Sequence, residues 1–229
     1  MNDFLVECCA NSIKSALEGE KGGAHRIELC SNLEFGGITP SRKEISETKK
    51  AINIPIRVLI RPRVGDFIYN EHEYQQIISD INFCKNQGLE GVVVGSLNFN
   101  GSINIDQTKE MVSQAKPMHV TFHRAFDEAN NLEDNLNDII RCGCHAILTS
   151  GQRKNVNDGI INLNKLISLS NNRIQILAGG GVNYKNAKKL YKIGIRNFHL
   201  SGTEKNKKKI LETKSINIKK LIKTLSSFV

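Results

Sequence analysis

No stretch of this 229-residue chain approaches the ~20 consecutive apolar residues that a membrane-spanning helix requires. The opening, MNDFLVECC, lacks a basic segment followed by a long apolar one, which argues against a secretory leader. The six cysteines, Cys8, Cys9, Cys30, Cys84, Cys142 and Cys144, contain no C-x-x-C pair and are too sparse for a disulfide scaffold. A cytoplasmic protein with reduced thiols is therefore expected, with no membrane partner. No Pro/Ser/Gly-rich linker divides the chain, so one domain is expected over residues 1–229. No G-x-G-x-x-G opens the first helix-like segment, which weighs against a dinucleotide-binding open sheet.

The formal charge is +9, which favours anionic partners in general. Much of it lies in a basic C-terminal segment, residues 203–229, which includes the last helix-like stretch and Lys205, Lys207, Lys208, Lys209, Lys214, Lys219, Lys220 and Lys223. Without interleaved arginines and aromatics, this segment reads as a solvated face rather than a nucleic-acid patch.

Short β-like runs alternate with amphipathic stretches. The runs cover residues 4–9, 26–30, 55–61, 91–96, 119–124, 146–150, 174–179 and 197–201. Helix-like segments follow several of them: SIKSALEGE, HEYQQIISDINFCKNQG, LEDNLNDIIRCG and VNDGIINLNKLISLS. Glycines at Gly22-Gly23, Gly88, Gly143 and Gly194 suit helix C-caps before the next strand. Eight such units predict an α/β fold, a single-domain (β/α)8 TIM barrel, with a doubly wound open sheet as the alternative. In GGITPS (36–41), Thr39 is expected to cap a helix and Pro40 to take its first position.

Catalytic and binding groups of such barrels gather at the C-terminal ends of the strands. Alternate residues of a strand face inward, so Glu7 with Cys9, and Glu28 with Cys30, share one face of two neighbouring strands. On this reading, two carboxylates and two thiols crowd one sector of the mouth. Other strand ends are polar too: Arg61, Arg63 and Asp66; His123, Arg124 and Asp127; Thr149 and Ser150; His199, Ser201 and Thr203. AGGGV (178–182), with a helix start after it, and SGT (201–203) sit where many barrels hold phosphate, on glycine N–H groups and a helix N-terminus.

The stretches ECCANSIKSALEGEKGGAHRIELCSNLEFGGITPS, IRPRVGDFIYNEHE, VTFHRAFD, LTSGQ, AGGGV and FHLSG, in this order from Glu7 to about Gly202, resemble the CutC family of copper homeostasis proteins. The resemblance implies a cytoplasmic TIM barrel, a homo-oligomer (dimer or tetramer) and a role in copper tolerance or trafficking. It also implies Cu(I) binding at Cys9 and Cys30. His25 stands where the family usually has Asp, at the foot of the barrel. Cys8 has the opposite parity to Cys9 and is expected to face the helices.

Two chemistries fit the mouth. Thiolates are soft donors suited to Cu(I), with His123 or His199 as a third ligand to Cys9 and Cys30. Alternatively, the mouth is an acid/base site for a small phosphorylated or carboxylated metabolite. Glu7 or Glu28 is then the base, with one carboxyl pKa raised by the other, and His123 the acid. Arg61 or Arg124 clamps the anion and Asp127 orients an Arg or His. Arg63, Arg124, Ser150, Gly180, Gly181 and Ser201 bind the anion. The carboxylates also offer oxygen ligands to a divalent cation such as Mg2+. Copper homeostasis is the expected function, and nucleic acid is not expected as a partner.

Overall fold

Eight parallel strands close into one barrel in chain order: β1 (Leu5–Ala10), β2 (Arg26–Leu29), β3 (Ile56–Leu59), β4 (Gly91–Val94), β5 (His119–Phe122), β6 (Ala146–Thr149), β7 (Gln175–Ala178) and β8 (Asn197–Leu200). The computed structural model describes residues 3–206 and 210–228. Helices α1 (Ile13–Lys21), α2 (Arg42–Ala51), α3 (Glu71–Asn86), α4 (Ile105–Ala115), α5 (Ala125–Glu128), α6 (Leu132–Arg141), α7 (Ile160–Ser170), α8 (Ala187–Lys192) and α9 (Ser215–Ser226) lie between and after the strands. Every expected strand is present, so the closed barrel prevails over the open sheet.

One parity of each strand meets the helices. Val6, Ile27, Val58, Val92, Val120, Phe122, Ile147, Ile176 and Phe198 belong to the continuous apolar layer. Burying such side chains contributes ~1.5–3 kcal/mol each before chain entropy is counted. Cys8 lies in this layer, against the helices, as its parity predicts. The inward parity is mixed: Cys9, Cys30, Leu59 and Val93 form a small separate apolar cluster among polar side chains. No helix among the described residues is long and apolar enough to cross a membrane.

Four local details differ from the sequence reading. Helix α2 is capped by Ser41 with a reciprocal Glu44 contact, not by Thr39. The Thr39 hydroxyl instead accepts from the Arg61 backbone N–H at 2.8 Å, so Pro40 precedes the cap. Helix α7 begins at Ile160 rather than near Val156, because Gly159 packs its backbone onto Ser150, where a Cβ would meet the carbonyl oxygen at 1.7 Å. Helix α8 has only six residues and starts five residues after Val182. A hairpin, β9 (Thr203–Lys205) with β10 (Leu211–Thr213), occupies the start of the basic C-terminal segment. Lys207, Lys208 and Lys209 lie outside the described residues. Helix α9 buries Ile218, Leu221 and Leu225 and exposes Lys219, Lys220 and Lys223, the solvated face expected of this segment.

Candidate functional site at the barrel mouth

The register of β1 between its neighbours decides the layout. Glu7 lies opposite Arg26 on β2 and opposite His199 on β8, and Cys9 lies opposite Glu28. The two glutamates are therefore one layer apart rather than side by side. Glu7 is fully buried and its Oε2 accepts from Arg26 Nε, beneath the cavity rather than on its wall. Glu28 stands above it, on the cavity floor. His199 Nε2 is 3.0 Å from Glu28 Oε2, a hydrogen bond, and 3.8 Å from Glu7 Oε1, which has no hydrogen-bond partner, so one imidazole lies between the two carboxylates. Burial disfavours a charge on His199, but the charges and hydrogen bonding of Glu28, with Glu7 behind, outweigh it and raise its pKa. Glu7 is committed to Arg26 and Glu28 to His199.

Cys9 Sγ lies 3.7 Å from Cys30 Sγ and 3.9 Å from Glu28 Oε1. Its hydrogen bond to Cys30, its burial, and the charges of Cys30 and Glu28 push its pKa well above the thiol range. The ligand atoms of Cys9, Glu28 and His199 all fall within 4.8 Å of one another. Sequence reasoning placed both thiols and Glu28 here. His199, offered by the sequence as a third copper ligand, stands at the centre, on the inward parity that it shares with Asn197 and Ser201.

The cavity above this cluster measures about 260 Å3. Arg61 and His123 form one wall. Arg61 is buried, donates to the carbonyls of Gly37 at 3.1 Å and Gly65 at 2.5 Å, and lies over the Phe67 ring at 4.6 Å. His123 Nδ1 accepts from the Ala125 backbone N–H at 3.1 Å, which leaves the ring hydrogen on Nε2. Burial and nearby Arg61 lower its pKa to about 3. The ring is therefore held as a neutral N–H donor rather than a charged one, at the residue the sequence suggested as the acid. Gly95, read only as a strand residue, makes room for it: a Cβ there would meet the His123 ring at 2.5 Å.

A pH dependence follows from His123. The unfolded chain protonates this ring below about pH 6.5, whereas the folded chain resists until about 3. Stability held above pH 6.5 is lost as pH falls toward 3. In thermal melts between pH 6.5 and 4, the His123→Gln variant is expected to show a shallower loss, by about 1.4 kcal/mol per pH unit. Parallel slopes for both proteins would exclude a neutral buried His123.

Arg124 and its supports form a further part of the wall. Asp127 accepts from Arg124 Nε at 2.7 Å, from the Ser150 and Gln152 backbone N–H groups at 3.0 Å each, and from the Thr149 hydroxyl. Asp127 thus orients Arg124 and has no free edge for a ligand. Ser150 is buried, with its hydroxyl between Asp127 and Arg124. Arg63 points away from the cavity, to Glu73 at 2.5 Å and Asp66 at 2.9 Å. Gly180, Gly181 and Ser201 do line the cavity. The helix N-terminus expected beside the glycines is absent there, because α8 is short and begins further on. Gly180 has φ +92, and a Cβ on it would meet Arg124 Cζ at 3.1 Å. Gly180→Ala is expected to cost about 1–3 kcal/mol, read as a lower melting temperature. An unchanged melting temperature would mean that the loop relaxes freely.

A family model described as the CutC family matches residues 4–204. A CutC family protein of Bacteroides fragilis is 41% identical over 206 residues, covering 89% of this chain and 82% of its own. One from Aliivibrio fischeri is 41% identical over 211 residues, covering 90% of this chain and 85% of its own. The crystal structure of a CutC protein from Streptococcus agalactiae superposes with a TM-score of 0.82 at 29% identity, covering 86% of this chain and 98% of that one. Together with a closed eight-stranded barrel carrying paired thiols at its mouth, these matches establish that the chain belongs to the CutC family.

Proposed function

We propose that the barrel mouth binds copper(I), as cargo in copper homeostasis, through Cys9 and Cys30. The observation that carries this reading is the pair of buried thiols 3.7 Å apart. Two soft donors at that separation can share one soft monovalent ion after losing their protons. Glu28 and His199 stand beside them, His199 offering a borderline nitrogen and Glu28 a hard oxygen of less value to Cu(I). The similar Streptococcus agalactiae structure carries a copper homeostasis description, which supports the same reading here. A cytoplasmic location and a homo-oligomeric state belong to this proposal through the family. An anaerobic Cu(I) titration against a chromophoric competitor tests it: one equivalent bound tightly is expected, and failure to compete would sink it.

A second reading has its own observation. Glu28 and His199, 3.0 Å apart on the cavity floor, form an acid–base pair that thiol ligation does not require. With Arg61 and Arg124 on the walls, the pair suits isomerisation, lyase or hydrolytic chemistry on a small phosphorylated or carboxylated metabolite. Glu28 exchanges a proton with the bound molecule, and His199 holds the compensating charge. Turnover in a metabolite panel followed by proton NMR, abolished in Glu28→Gln, is the expected result. Turnover unaffected by that change would remove the pair from the chemistry.

A further inference from the structure

Three arginines lie buried in this barrel, and two of them are paired with carboxylates. Arg26 is bonded to Glu7, and Arg57 is held by Glu90 at 2.7 and 3.0 Å. Arg61 is as buried as Arg26, both at 6% exposure, yet no carboxylate lies within 4.0 Å of it among the described residues. Backbone carbonyls and the Phe67 ring hold the guanidinium in place but do not neutralise it. Its Nε has no partner. Asp66 and Glu128 lie near enough to feel its charge, but neither pairs with it, and a buried guanidinium without a direct ion pair is costly, so a fold that keeps one rigid suits an external anion.

A second donor lies on the same wall. His123 Nε2 is buried and has no partner, and the Ala125 contact at Nδ1 leaves the hydrogen on that nitrogen. The Phe67 ring touches both groups, with its centroid 4.6 Å from Arg61 Cζ and 4.9 Å from the His123 ring. Neither donor is explained by a copper ion. A cation at the thiols would not answer Arg61, and His123 can offer no lone pair, because Nδ1 is taken and Nε2 carries hydrogen.

We propose that Arg61 and His123 form a subsite for the oxyanion group of a small organic metabolite, Arg61 supplying the charge and His123 a neutral N–H donor. The cavity of about 260 Å3 sets the ligand near the lower limit of small-molecule sites. The same Arg61 and Arg124 border a shallower basin of about 590 Å3 that also holds Arg153 and Lys154 beside Asp127 and Glu128, four cations against two carboxylates, a balance that would draw an anion toward the mouth. The shared chemistry is a carboxylate or a phosphate, both of which accept several N–H donors. The assignment rests on the metabolite reading above and names the groups that hold the anion.

The test is calorimetric titration of the full chain with inorganic phosphate and, separately, with pyruvate. Binding of at least one is expected: phosphate alone indicates a phosphorylated ligand, pyruvate alone a carboxylated one. Arg61→Met is expected to weaken that binding by about 100-fold and Arg61→Lys by about 10-fold, since lysine keeps the charge but loses the fork. His123→Phe is expected to cost about 10-fold, and His123→Gln, which keeps an N–H donor, less than about threefold. Cu(I) affinity is expected to stay unchanged in all four. Should a variant fail to fold, nitrogen-15 NMR of the wild-type histidines decides: His123 Nε2 is expected to shift on adding the bound anion. Binding that ignores both residues, or an unmoved His123 resonance, overturns this subsite and leaves the metabolite reading standing. No binding of either anion overturns both.

Discussion

Cys9→Ser and Cys30→Ser are each expected to weaken Cu(I) binding at least about a thousandfold, because a hydroxyl is a hard donor and one remaining thiol cannot complete two-coordinate ligation. Cys8→Ser is the informative control. Cys8 lies on the same strand one residue from Cys9, but its sulfur faces α1, where a Cβ on Gly19 would meet it at 2.8 Å. That variant is expected to bind Cu(I) like wild type while losing about 1–3 kcal/mol of stability, the cost of a hydroxyl in an apolar site. Competition titration under anaerobic conditions reads the first effect and urea unfolding the second. Equal loss of copper in all three variants would mean that global damage, not ligation, is being measured. Full copper binding in Cys9→Ser and Cys30→Ser would reduce the paired thiols to packing.

Replacing Glu7 by alanine is expected to destabilise the protein by about 3–5 kcal/mol, the usual consequence of leaving one member of a buried ion pair unpaired. For a chain of this size that corresponds to a melting temperature lower by roughly 6–20 °C. The reason is local. Arg26 has its side chain 7% exposed and Glu7 its side chain 0% exposed, so the guanidinium left behind has no ready route to solvent. Glu7→Gln is expected to lose less, because the amide oxygen still accepts from Arg26. Neither change is expected to alter the mouth cavity's lining directly, since Glu7 lies below it. Thermal melts that match wild type would show that Arg26 finds another partner, and would reopen Glu7 as a residue for chemistry.

These two expectations assign different work to the paired Glu-x-Cys segments. Their cysteines meet at the mouth. Their glutamates do not: Glu28 reaches the cavity, whereas Glu7 holds Arg26 in the layer below. The sequence suggests equivalence because both segments have the same parity and spacing. The stagger between β1 and β2 breaks it, by two residues, placing Cys9 rather than Glu7 opposite Glu28.

The sequence by itself determined the eight strands, because short apolar runs alternate with helix-period stretches and glycine stops. It also determined which side chains point inward. Parity is a local property, and Cys9, Glu28, Cys30, Arg61, His123 and His199 all follow it. Only the tertiary structure decided who meets whom. Strand stagger is set by closing eight strands at once, a condition no single segment contains. That closure put His199 between two carboxylates, left Arg61 without one, and turned the outward-lying Arg63 to Glu73. It also engaged Asp127 and Ser150 with Arg124 and made His123 a neutral donor, because burial and neighbouring backbone groups, not residue type, decide which polar atoms remain free.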